Sequence, residues 1–151
     1  PDWAAQGPYH HGMPSMPDYW HSVEAADDNH PMRLVAPPAR MFLNTSFTRS
    51  PSSRAHEGEP SVLVHPADAD ELGIEDGAAV LLGNRRGEVR LTARFFDDIH
   101  RGTLIAEGIW PGIDFDDHLG INQLIGADPV APRGGVAFHD TAVWVRPEQP
   151  N

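Results

Sequence analysis

The 151-residue chain contains no cysteine. Disulfides, Cys-ligated zinc, iron–sulfur clusters and thiol catalysis are therefore excluded within it, and the redox compartment cannot be read from it. Lysine is absent as well, so all eleven basic residues are Arg. That removes Schiff-base and Lys-nucleophile chemistry. No apolar run reaches the roughly 18 residues that a transmembrane helix needs. No basic-then-apolar leader pattern follows Pro1, and the chain reads as a piece of a longer protein. Positive charge is scarce: 11 Arg stand against 22 Asp and Glu, a net charge of −11. Such a balance argues against nucleic acid and anionic membrane surfaces as partners. An anionic ligand would have to be held locally, by backbone N–H groups, hydroxyls and a few Arg.

What is abundant is chain punctuation. Fifteen Pro and fourteen Gly point to turns and extended segments rather than long helices. The length suits one domain. Residues 1–30 carry Trp3, Tyr9, Tyr19 and Trp20 but no sustained period, and read as a linker from a preceding part of the parent. Some of these aromatics are expected to anchor on apolar surface, of the barrel itself or of a neighbouring copy. Self-association through residues 1–30 stays open on that ground. From residue 31 to 151 the signals are mainly strands: Arg33 to Ala36, Ser61 to Val64, Ala78 to Leu82, Glu88 to Arg94, Thr103 to Ala106 and Thr141 to Val145. Val89, Leu91 and Ala93 alternate with Arg90, Thr92 and Arg94, one set for each face. Asn44-Thr45-Ser46 follows an apolar strand and precedes a polar loop that runs through Ser53, and Gly120 to Ile125 reads as a short helix. Many short strands with one or two short helices imply a mostly β domain closed as a small barrel.

The densest punctuation lies between His65 and Glu88. Pro66 suits the first helical position, where its missing N–H costs nothing. Gly73 can take the positive φ that stops a helix. Asp76-Gly77 and Asn84 through Gly87 supply turns on either side of an apolar run. This spacing resembles the C-terminal, dinucleotide-binding domain of molybdopterin oxidoreductases of the formate dehydrogenase, nitrate reductase and dimethyl sulfoxide reductase type. Three further segments carry the same resemblance in the family's order. They are Arg33 to Phe47, Glu107-Gly108-Ile109-Trp110 followed by Gly120 to Leu124, and Gly134 to Thr141. The resemblance implies a six-stranded double-psi β-barrel with short helices, a fold that periodicity alone does not specify. It implies bis-molybdopterin guanine dinucleotide, with molybdenum or tungsten, in the full-length parent. It also implies the other domains of that parent oxidoreductase as partners, and an isolated domain that holds neither cofactor nor metal.

Candidate contacts follow residue by residue. Asn44, Thr45 and Ser46 offer an amide and two hydroxyls, which suit the edge of a pterin or guanine and phosphate or carbonyl oxygens. The residues alone read as a capped turn; the resemblance places them on the cofactor face. Asn122, beside Gln123, matches an Asn that lies near a pterin in the family, while the residues alone suggest a cap for the short helix. Arg133 precedes Gly134-Gly135, a turn whose bare backbone can approach a pyrophosphate, although a plain loop is the simpler reading. His139 is a cofactor contact by resemblance; if it lies in a strand it points away from Asp140, so the two make no dyad. His65 reads as the residue that starts the Pro66 helix. Glu107 is a general-acid candidate only if buried. The adjacent His10 and His11 lack a third ligand at useful spacing, and no Gly-x-Ser-x-Gly elbow is present. No catalytic residue is assigned. The expected function is a cofactor-binding C-terminal domain closing over the dinucleotide. The alternative is a double-psi barrel that serves as a protein-interaction module without cofactor, for which Asn44 and Gly120 to Leu124 would be superfluous.

Overall fold

A computed structural model describes residues 7–12, 16, 24–131, 133–138 and 141–149. Six strands close into a barrel: β1 (Met32–Val35), β2 (Ser61–Val64), β3 (Ala79–Asn84), β4 (Gly87–Phe95), β5 (Thr103–Ile105) and β6 (Thr141–Pro147). Their order around the barrel is β1-β5-β2-β4-β3-β6. β1–β5 and β2–β4 are parallel, and the remaining pairs antiparallel. This is the mostly β, six-stranded barrel expected from the resemblance.

Alternation fills the interior. Val89, Leu91 and Ala93 of β4 are buried, as are Val62 and Val64 of β2, Val80 and Leu82 of β3, and Leu34, Leu104 and Val143. Closure leaves no long unpaired edge, so short strands suffice. The β3–β4 hairpin runs two residues further at the end of β3 than the sequence suggests. Asn84 pairs directly with Gly87, leaving only Arg85 and Arg86 as the loop. Gly83 lies opposite Trp144, and a Cβ there would sit 2.3 Å from the indole, so only glycine lets the ring lie flat on the strand.

Two helices cap the barrel. α2 (Pro66–Leu72) follows its punctuation closely: His65 Nδ1 accepts from Ala67 N at 3.1 Å, and Pro66 opens the first turn. Gly73 stops it at φ 66°, donating to Asp70 O, while Ile74 N donates to Ala69 O. The two bonds form a Schellman motif, with buried Ile74 and Ala69 as its apolar contact. Asp68, also buried, accepts from Arg101 Nε and Gly102 N, both at 2.7 Å, and ties α2 to the β4–β5 loop. Helix α1 (Pro51–Glu57) occupies part of the stretch read as loop, so that reading is corrected. Ser50, Pro51 and Gly58 punctuate it much as His65, Pro66 and Gly73 punctuate α2.

Of the N-terminal aromatics, Trp3, Tyr19 and Trp20 lie outside the described residues. Tyr9 lies against the 129–134 loop; a Cβ on Gly134 would stand 2.6 Å from its ring. Glu24 pairs with Arg86 at 3.0 Å. No helix among the described residues is long and apolar enough to cross a membrane.

Candidate functional site

One groove of about 550 Å³ opens at a rim of the barrel. Its lining comes from five places: Ala36 to Ala39 after β1, Asn44, Gly108-Ile109 after β5, Ile121-Asn122 with Ile125 to Ala127, and Val136 with Phe138 ahead of β6. The lining is apolar except for two side chains, Asn44 and Asn122.

Asn44 sits at φ 51°, a left-handed conformation that Asn tolerates better than most residues. Leu43 and Ser46 exchange backbone hydrogen bonds of 3.1 and 2.8 Å across it, so Asn44 and Thr45 form a two-residue turn. Thr48 Oγ1 donates to Thr45 O at 2.9 Å and braces the turn from beneath. Buried Phe42 anchors its start, packed edge-on against Trp110 at 4.9 Å. Arg54 of α1 lies over Trp110, donates to Thr48 O, and makes a two-pronged pair with Asp114 at 2.6 and 3.1 Å. Helix α1 thus holds the Asn44 turn in place.

Asn122 belongs to a 3-10 turn, Ile121–Leu124. Ile121 and Leu124 are buried, and Asn122 is exposed between them. Gly120 occupies the N-cap position, so Asn122 does not cap the turn. Among the described residues neither Asn44 nor Asn122 has a hydrogen-bond partner for its side chain. Each amide therefore presents a donor and an acceptor to the groove.

The other expected contacts distribute differently. Thr45 and Ser46 are exposed in the Asn44 turn but do not line the groove. Gln123 points away from it, donating Nε2 to Glu88 O on the hairpin. Arg133 lies in an adjoining hollow of about 360 Å³, which shares Val136 with the groove. His139 is outside the described residues, directly after Phe138 of the groove. Glu107 is exposed rather than buried, which removes it as a general acid. His65 is committed to its helix cap. Groove residues not anticipated include Ile125, Gly126 and Phe138. The Ala36-Pro37-Pro38-Ala39 run carried a usable signal, because an apolar, rigid segment with few N–H donors suits a cavity wall.

No charged side chain lines the groove. Arg54, Arg86, Arg90, Arg94, Arg101 and Arg146 are paired with carboxylates. Arg40, Arg49, Arg85 and Arg133 are exposed and without a partner among the described residues. Among those residues no three His, Asp or Glu converge to hold a metal.

A closed barrel with an apolar rim groove and two free amides defines a small-molecule-binding domain. Comparison with known families gives the class its name. The chain belongs to the Molydopterin dinucleotide binding domain family, whose model matches residues 32–142. Probable oxidoreductase YoaE of Bacillus subtilis is 33% identical over 129 residues, covering 83% of this chain and 18% of that protein. The respiratory nitrate reductase subunit alpha of Haloferax mediterranei is 32% identical over 111 residues, covering 73% of this chain and 11% of its own length. The chain thus spans less than a fifth of these relatives. Acetylene hydratase from Pelobacter acetylenicus shares the fold, with a TM-score of 0.74 at 16% identity over 90% of this chain and 22% of that chain.

Proposed function

We propose that this domain closes over bis-molybdopterin guanine dinucleotide within a larger oxidoreductase and sets part of its hydrogen-bonding environment. The observation that carries the reading is the groove itself. It is apolar on its walls, and its two polar side chains are amides with no other partner among the described residues. A flat heterocycle with alternating donors and acceptors suits that donor set, since apolar walls cover its faces and amides read its edge. When bound, the cofactor supplies two-electron redox chemistry at its molybdenum or tungsten; the chain supplies orientation and exclusion of water.

Asn44 and Asn122 orient the ring edge in this reading. Thr45 and Ser46 stand on the same turn as Asn44, where their hydroxyls can serve oxygen atoms beyond the groove. Arg133, unpaired and one residue before the bare Gly134-Gly135 backbone, is the cation placed for a phosphate, and His139 follows the groove wall in sequence. Gln123 is assigned to support, because its amide is already engaged. Exposed Leu43, Phe47, Ile113, Leu119 and Phe138 suit burial against other domains of the parent.

The test is cofactor retention. In the full-length oxidoreductase, Asn44→Ala and Asn122→Ala together should lower bound cofactor about tenfold or more, as two hydrogen bonds to a buried ligand are lost. Metal content and released pterin fluorescence report it. Full occupancy in the folded double variant refutes the assignment.

A further inference from the structure

The groove wall that carries Asn122 is not part of the sheet. It is a single 3-10 turn, closed by Gln123 N to Gly120 O at 3.0 Å and Ile125 N to Asn122 O at 3.2 Å. Ile121 and Leu124 bury it, but residues three apart in a 3-10 turn stand in line. Two anchors in line fix an axis and leave rotation about it free. Asn122 and Gln123 project to the two sides of that axis, so a small rotation re-aims Asn122.

The β3–β4 turn removes this freedom. Asn84 is buried at the end of β3. Its Nδ2 donates to Leu124 O at 2.8 Å and reaches Ala142 O at 3.5 Å, and its Oδ1 accepts Arg86 N at 2.9 Å. Arg86 Nη1 also donates to Leu124 O, at 3.1 Å. Gln123 Nε2 grips Glu88 O on the first residues of β4. The hairpin loop therefore holds the 3-10 turn from the side opposite Asn122. A buried amide with every hydrogen-bonding group engaged is a specific lock, because any rotation would leave a buried N–H or C=O unsatisfied.

We propose that Asn84, seconded by Arg86, is a positioning residue that fixes the direction of the Asn122 amide in the groove. This rests on the reading of the groove as a heterocycle site. The position wants both a donor and an acceptor, which an amide supplies and a carboxylate does not. Asn84→Asp keeps the size and the bond from Arg86 N, but when ionised it sets a carboxylate against Leu124 O. Protonation returns the donor, so the defect is reversible with pH.

The experiment uses the full 151-residue chain, labelled with 15N and 13C, and pterin-6-carboxylate as probe. Near pH 8, with the introduced carboxyl shown by its own 13C shift to be ionised, Asn84→Asp should exchange the Gln123 and Ile125 amide protons at least about tenfold faster than the parent chain at that pH, with β3 and β4 amides unchanged. Pterin-6-carboxylate should bind about fivefold more weakly, read from the Asn44 and Asn122 side-chain resonances. Below the titration midpoint of the introduced carboxyl both differences should fall to within about twofold. Native exchange at Gln123 and Ile125 in folded Asn84→Asp near pH 8 overturns the proposal. If that variant does not fold, Asn84→Ala removes the buried donor to Leu124 O outright, and unchanged exchange at Gln123 and Ile125 overturns it equally. Cofactor content of the full-length oxidoreductase left unchanged by the Asn44 and Asn122 substitutions would instead sink the reading of the groove, while the exchange data still decide whether Asn84 locks the turn.

Discussion

At the scale of single residues, two glycines and three asparagines define what the chain tolerates. Gly83 is the clearest case, because a Cβ would enter the Trp144 ring, whose other contact is the Arg146 guanidinium at 4.4 Å. The ring cannot retreat without losing that contact. Gly83→Ala should therefore destabilise the barrel by about 1–3 kcal/mol, the usual cost of overpacking, measured by urea unfolding. A neutral result would mean that Trp144 re-seats freely. Gly126 differs: its added Cβ would meet the Arg86 guanidinium at 2.8 Å, the far end of a flexible side chain that can shift. Asn44 and Asn122 owe their importance to what they leave unsatisfied, and Asn84 to what it satisfies. Residue type alone does not separate these roles. Among three Asn in turn-like contexts, only the fold tells which amide is spent internally and which remains available.

At the scale of elements, α2 shows how far local chemistry reaches. Its His65 start, its Pro and its Gly stop were all legible because each rests on neighbours within a few residues, whereas the Ile74–Ala69 contact that completes the Schellman motif was not read. Its tie to the β4–β5 loop was not, because Asp68 and Arg101 are 33 residues apart. Burial pushes Asp68 up, but the Gly102 N–H and the Arg101 guanidinium pull harder, and the carboxyl is held below its ordinary 3.8. A lowered folded pKa gives stability that is present above that ordinary value and lost as pH falls through the folded value. Asp68→Asn should thus cost about 1–2 kcal/mol at neutral pH, kept modest because Arg101 is half-exposed, and the difference from the parent should shrink below about pH 4. Thermal unfolding across that range checks it; a gap independent of pH would assign the loss to packing. The same contrast between local and distant signals runs through the site. The strands and hairpin followed from alternation and turn residues. Helix α1 was missed although Ser50-Pro51 carried a start signal like that of His65-Pro66, since the polar run after it lacks an apolar face to confirm a helix. The groove could be anticipated only through the resemblance, because its lining comes from five separated segments whose convergence is a property of barrel closure.

At the scale of the whole molecule, the decisive facts are partial length and partial enclosure. The chain matches 18% and 11% of two relatives, and its groove measures about 550 Å³. Exposed Leu43, Phe47 and Phe138 stand on the same loops that shape the groove, so covering them and completing the groove would be one event. A large anionic dinucleotide bound to this domain alone would leave much of its surface in water. It would also face a chain of net charge −11 whose unpartnered Arg are few. Immobilising such a ligand costs several kcal/mol before any contact returns a gain, and two amides with one apolar wall return only part of that. Purified by itself, the 151-residue chain should therefore carry molybdenum or tungsten in fewer than about one molecule in ten, and show no reductase or dehydrogenase turnover. Metal analysis decides the first point directly. Stoichiometric metal in the isolated chain would refute this.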